Sequence, residues 1–102
     1  MSTEAKLHEA RLREAYEWIE RNSAWEDVRS IHVSTAATCI FLNPPECLDR
    51  YFAGAEVSIY SKSTHTEYQL QHEGISFYVF KYRTAGNEYG PPRKIIIGEQ
   101  PL

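Results

Sequence analysis

The stretch from Ile75 to Arg83 limits the fold more than any other. Its odd positions hold Ile75, Phe77 and Val79, and its even positions hold Tyr78, Phe80 and Tyr82. Side chains of a strand alternate between two faces, so a strand here is apolar or aromatic on both. An antiparallel strand with one wet face alternates apolar with polar residues instead. Ile75, Phe77 and Val79 are expected to pack under a helix. The rings opposite have two readings. Either a second helix, the C-terminal tail or a curl of the sheet covers them, or they form a binding patch for a protein, a ligand or a second copy of the chain. In the second reading Tyr78, Phe80 and Tyr82 are the binding residues, flanked by Lys81 and Arg83. Tyrosine and arginine suit interface centres because they bury much area and keep a polar tip.

The helix that strand needs is legible at the start of the chain. Over Ser2–Asn22, Ala5, His8, Leu12, Ala15, Tyr16 and Ile19 fall on one stripe at helical period, with Leu7 and Trp18 at one flank of the opposite, charged face. Glu9–Arg13 and Glu17–Arg21 have the favourable i,i+4 order. Two short strands follow around Ile31/Val33 and Ile40/Leu42. Apolar parity switches across Thr35-Ala36-Ala37, which implies a hairpin in preference to a bulged single strand. Asn43-Pro44-Pro45-Glu46 reads as a helix start, Leu48, Tyr51 and Phe52 as its apolar side, and Gly54 as its stop. From Ala55 the period is two. Val57 and Ile59 mark one strand, and Thr66, Tyr68 and Leu70 mark the inner side of another. Glu73-Gly74 is a turn, Ile75–Arg83 is the next strand, and Lys94–Ile97 is a short edge strand after a Gly/Pro-rich loop.

The expected fold class is α+β: an N-terminal amphipathic helix on a mostly antiparallel sheet of about five strands, with a short second helix, in the order α-β-β-α-β-β-β. At 102 residues this is one domain, 1–102, with 98–102 expected to fray.

Charge and composition narrow the function classes. Of the net −3, all of it falls within residues 1–27, where seven acids face four bases; residues 28–102 carry seven of each. Without a basic block, binding along a phosphate backbone is not expected. No apolar leader opens the chain and no segment has membrane-span length, so the expected compartment is the cytoplasm, with no membrane partner.

Chemical motifs are few. Cys39 and Cys47 are read as free thiols; Cys47, in the first turn of the second helix, is the candidate for activation by the positive helix end. His65 and His72 are an odd number apart on one strand, so they point to opposite faces and do not make a metal site. Gly74–Phe80 partly follows the stacking strand of RNA-recognition motifs through Gly74, Phe77 and Phe80, but Glu73 stands at the basic position and Ile75 at the first ring. No cofactor is expected.

Cys47–Val57, a short amphipathic helix ending in Phe-small-Gly and running into a polar strand, followed by Gly74-Ile75-Ser76-Phe77-Tyr78, resembles a pattern in small phage-encoded proteins. That resemblance implies an accessory or host-takeover factor, such as an inhibitor of bacterial defence, and no catalytic residue. The leading expectation is a non-catalytic binding protein, a phage-type inhibitor or adaptor, meeting a protein partner through the aromatic strand face or the acidic helix. The alternative is a small-molecule or nucleotide binder that sequesters its ligand between protomers of a homodimer, with tyrosines and Arg83 or Arg93 lining the pocket. Third is a small enzyme with a thiol or His/Glu site.

Overall fold

The computed structural model describes residues 3–82, 90–100 and 102. Arg83 and most of the Gly/Pro-rich loop lie outside these residues. The architecture is α+β. Helix α1 (Thr3–Arg21) is followed by a 3-10 turn (Trp25–Asp27), the hairpin β1 (Val28–Val33) and β2 (Thr38–Leu42), then α2 (Cys47–Phe52). Strands β3 (Glu56–Ser61), β4 (His65–His72), β5 (Ile75–Tyr82) and β6 (Arg93–Ile96) complete the chain. All six strands join one sheet in the order β1-β2-β5-β4-β3-β6. Every pairing is antiparallel except β2 with β5, which run parallel with Ile40 beside Phe77 and Leu42 beside Val79. The sixth strand, β6, is the short edge strand expected at Lys94–Ile97, and the sheet's two sequence halves are joined by that parallel seam.

The hairpin reading of the parity switch is correct. Ile31 pairs with Ile40 and Val33 with Thr38, and the Ser34 hydroxyl accepts the backbone N–H groups of Ala36 and Ala37, closing the turn with no glycine. The Glu73-Gly74 turn is a two-residue connection between His72 and Ile75. Both residues have positive φ, 52° and 79°, as the twist of a tight hairpin requires.

Helix α1 is rolled from the expected stripe. Its buried residues are Ala15, Trp18 and Ile19, while Tyr16 is 45% exposed. On a 100° wheel the buried face is turned by roughly 50° toward Trp18. The cause is area: the indole has more apolar surface to hide than Ala5, Tyr16 and the other residues of that stripe. Trp18 sits at the centre of the core, stacked on Phe52 at 5.5 Å and tilted against Phe77 at 4.5 Å. Both helices therefore lie on one face of the sheet. At its C-terminus α1 ends in a Schellman-type closure. The Ala24 N–H donates to Ile19 and the Ser23 N–H to Glu20, with Ser23 at φ 52° in the place glycine usually takes. Arg21 pairs with Glu73 at the β4–β5 turn instead of with Glu17, whereas Glu9–Arg13 forms as the spacing predicts, at 2.9 Å.

Helix α2 starts later than expected. Its N-cap is Glu46 without a side-chain cap bond, and Asn43, which precedes a cis peptide to Pro44, donates its backbone N–H to the Asp27 carbonyl instead of capping. Asp27, only 8% exposed, anchors α2 to the base of β1. Its carboxylate accepts Arg50 Nη2 at 2.8 Å and the Tyr51 hydroxyl. Ile97 bridges to Gln100, the Tyr68 hydroxyl donates to the Leu102 carbonyl at 3.1 Å, and Leu102 packs against the core. Among the described residues no helix is long and apolar enough to cross a membrane.

Candidate functional site: the open face of the sheet

With both helices on one side, the other face of the sheet has no cover among the described residues. Strand parity and register set what it presents. Strand β2 contributes Cys39 and Phe41, β5 contributes Ser76, Tyr78, Phe80 and Tyr82, and β4 contributes His65, Glu67, Gln69 and Gln71. Glu56, Ser58 and Tyr60 come from β3, Lys94 and Ile96 from β6, and His32 from β1.

The rings among these form one connected cluster. His32 meets Phe41 edge-on at 5.0 Å, and Phe41 stacks on Tyr78 at 5.1 Å and touches Phe80 at 5.5 Å. His65 lies 4.9 Å from Phe80 and 6.0 Å from Tyr82. Tyr82 is 62% exposed, and Phe41, Tyr78 and Phe80 are half-buried by one another. Such cross-strand ring pairs hold side chains in place without a lid. Beside the rings runs a polar half. Glu56, Ser58, Gln69, Gln71, Ser76 and Tyr78 line an open depression of about 270 Å³.

Tyr78, Phe80 and Tyr82 therefore share the open face, as the period predicts. Lys81 does not join them. It pairs with Thr66 and belongs by parity to the helix side, at the exposed end of the sheet. Arg83 lies outside the described residues. Phe41, His32 and His65 complete the cluster, and the sequence pattern placed none of them with the β5 rings. The signal for Phe41 was its even-odd alternation with Ile40 and Leu42, which puts it opposite them.

The chemical candidates separate. Cys47 is buried, and burial, helped by the Asp27 carboxylate, pushes its thiol up to about 12. Removal from water outweighs the helix end, so the activated-thiol reading of Cys47 is wrong. Burial and the hydrogen bond to Asp27 likewise push the Tyr51 phenol up to about 12. Cys39 is half-exposed on the open face. His65 and His72 do face opposite ways: His65 contacts Phe80, and His72 contacts Phe52 on the helix side. The partial RNA-recognition match also divides, because Phe77 is 1% exposed beneath α1 while Phe80 is on the open face. The two rings cannot stack neighbouring bases on one surface.

No family model, curated protein or solved structure matches this chain.

Proposed function

We propose that this chain is a non-catalytic binding domain that docks a protein partner on the open face of its sheet. One observation carries the reading: a connected cluster of six rings stands on a face that neither helix covers. Exposed aromatic fields of this kind are rare on surfaces without a partner and supply most of the binding energy where one exists. The role of accessory inhibitor or adaptor, implied by the resemblance of Cys47–Val57 and Gly74–Tyr78 to small phage-encoded proteins, belongs to the same proposal.

The aromatic face suits docking better than the acidic helix. Glu9 is engaged by Arg13, and Glu20 by the Trp25 indole N–H at 3.1 Å, so part of the helix charge is already spent within the chain. The sequestering alternative has less to stand on. The open depression is lined by amides, hydroxyls and Glu56, and the nearby Lys94 is held by Glu56 at 3.5 Å, which leaves little to meet a phosphate.

Affinity capture from a bacterial lysate, read by mass spectrometry, tests the reading. Tyr78→Ala combined with Phe80→Ala should lose the captured protein while shifting the melting temperature by only a few degrees. Equal capture by the double variant, or its unfolding, would remove the support. A parallel small-molecule extract that held a bound metabolite would favour the sequestering alternative.

A further inference from the structure

We infer that the protein docked on the open face is a second copy of the chain, so that two chains pack face to face with their helices outside. This choice of partner rests on the docking reading above.

Charge favours the copy. The charges that the strands and the β3–β4 turn present here come as opposite neighbours. Glu56 pairs with Lys94 at 3.5 Å across β3 and β6. Glu67 is the register neighbour of Tyr60, and the Lys62 ammonium lies over that ring, 5.6 Å from its centroid. The face is therefore balanced within itself. It carries no excess charge to repel a copy, and none to steer in a partner of opposite sign. The net −3 of the chain falls within residues 1–27, which form α1 and the turn after it on the other side of the sheet. In a face-to-face pair those acidic layers are outermost. Three layer spacings of about 10 Å hold them roughly 30 Å apart, well past the Debye length of ~8 Å at physiological salt.

Area and shape agree. Strands stand about 4.8 Å apart and rise about 3.3 Å per residue, so six strands of up to eight residues present a face of roughly 25 by 20 Å. Two such faces bury on the order of 1,000 Å² or more, the size at which a specific interface begins. One sheet packs on another about 10 Å apart with the side chains of the two faces interleaved. The rings are also placed for a two-fold contact. Strands β5 and β4 are the middle pair, so an axis through the sheet centre sets Tyr78 and Phe80 near their own copies. Each ring contact is then made twice.

Sedimentation of the full chain from about 1 to 100 μM tests the pairing, because self-association follows concentration. The mass should rise from 11.8 kDa to twice that value. Phe80→Glu, which sets a carboxylate against its copy, should weaken association by about a hundredfold or more and leave a monomer folded by circular dichroism. Should that variant not fold, Tyr82→Glu carries the same test at a side chain already 62% exposed. Tyr16→Glu, on the outer flank of α1, should leave the two-chain mass unchanged. A dimer that survives the charge on β5, or that Tyr16→Glu breaks, would overturn the inference. A chain that stays monomeric throughout but captures a bacterial protein through Tyr78 and Phe80 would overturn it and leave the docking reading standing. A monomer that captures nothing through those rings would overturn both.

Discussion

The two sides of β5 are built from similar residues and end in opposite surroundings. Ile75, Phe77 and Val79 are each 1% exposed beneath Trp18 and Phe52, while Tyr78 and Phe80, alternating with them, stay half-buried and Tyr82 is largely exposed. The strand's chemistry does not decide this. The helices do, and both settle on one face, as the Trp18–Phe52 stack shows. Once Trp18 fills the space between α1, α2 and Phe77, the chain has no third described element for the other side. A strand that is apolar on both faces in a fold with one helical layer leaves a surface whose rings satisfy only one another.

The largest expected difference is between the two thiols, one on each side. With its pKa pushed up to about 12, Cys47 holds ~10⁻⁴ of its thiol as thiolate at pH 8, and it is fully buried as well. Cys39 stands on the open face. Iodoacetamide at pH 8 should modify one equivalent of thiol in the native protein, mapped to Cys39 by peptide mass, and a second only in denaturant. Prompt double labelling of the folded chain would mean that the α2 side opens easily, and the contrast between the sides would fail.

Next is the cost of removing a ring. Trp18→Ala takes away the side chain at the junction of both helices and the sheet, and should cost about 3–5 kcal/mol in urea unfolding. Phe80→Ala, on the other side of the same sheet, should cost about 1 kcal/mol, because it loses ring pairs and no enclosed volume. Since a domain of this size is stable by only about 5–15 kcal/mol, the first change can unfold the protein and the second cannot. Similar losses for the two would place Phe80 in a second core and end the open-face description.

How much of this was legible in the sequence follows the same division. The covered side of β5, the inner residues of β3 and β4, and the Glu73-Gly74 turn were readable because a period of two and a two-residue loop are local facts. The sheet order was not. The parallel β2–β5 seam joins segments more than thirty residues apart, and Ile40 and Leu42 say only that they are inner residues, not that Phe77 and Val79 are their neighbours. Without that seam Phe41 has no tie to Tyr78, and the ring cluster cannot be assembled. The roll of α1 was hidden because a wheel weighs Ala5 and Trp18 alike, whereas packing weighs them by area. Lys81 is at an odd position, so parity assigns it with Phe77 and Val79 rather than with the even-numbered rings.

An alkaline effect, smaller than the loss of Trp18, belongs to the covered side alone. The folded protein keeps the Cys47 and Tyr51 protons up to about pH 12, whereas the unfolded chain releases them near the ordinary thiol and phenol values of 9.0 and 10.0. Between those limits the unfolded state binds fewer protons than the folded state, so stability falls as pH rises. It is fully present below about pH 9. The loss begins with Cys47 and approaches ~1.4 kcal/mol per pH unit for that thiol, or about 2 kcal/mol by pH 10.5. Cys47→Ala should shift the onset of the decline up toward pH 10, where Tyr51 takes over, whatever the substitution does to stability at pH 7. Urea midpoints measured from pH 7 to 11 read the shift, and an onset that Cys47→Ala leaves in place would mean that this thiol is not shielded from water in the folded chain.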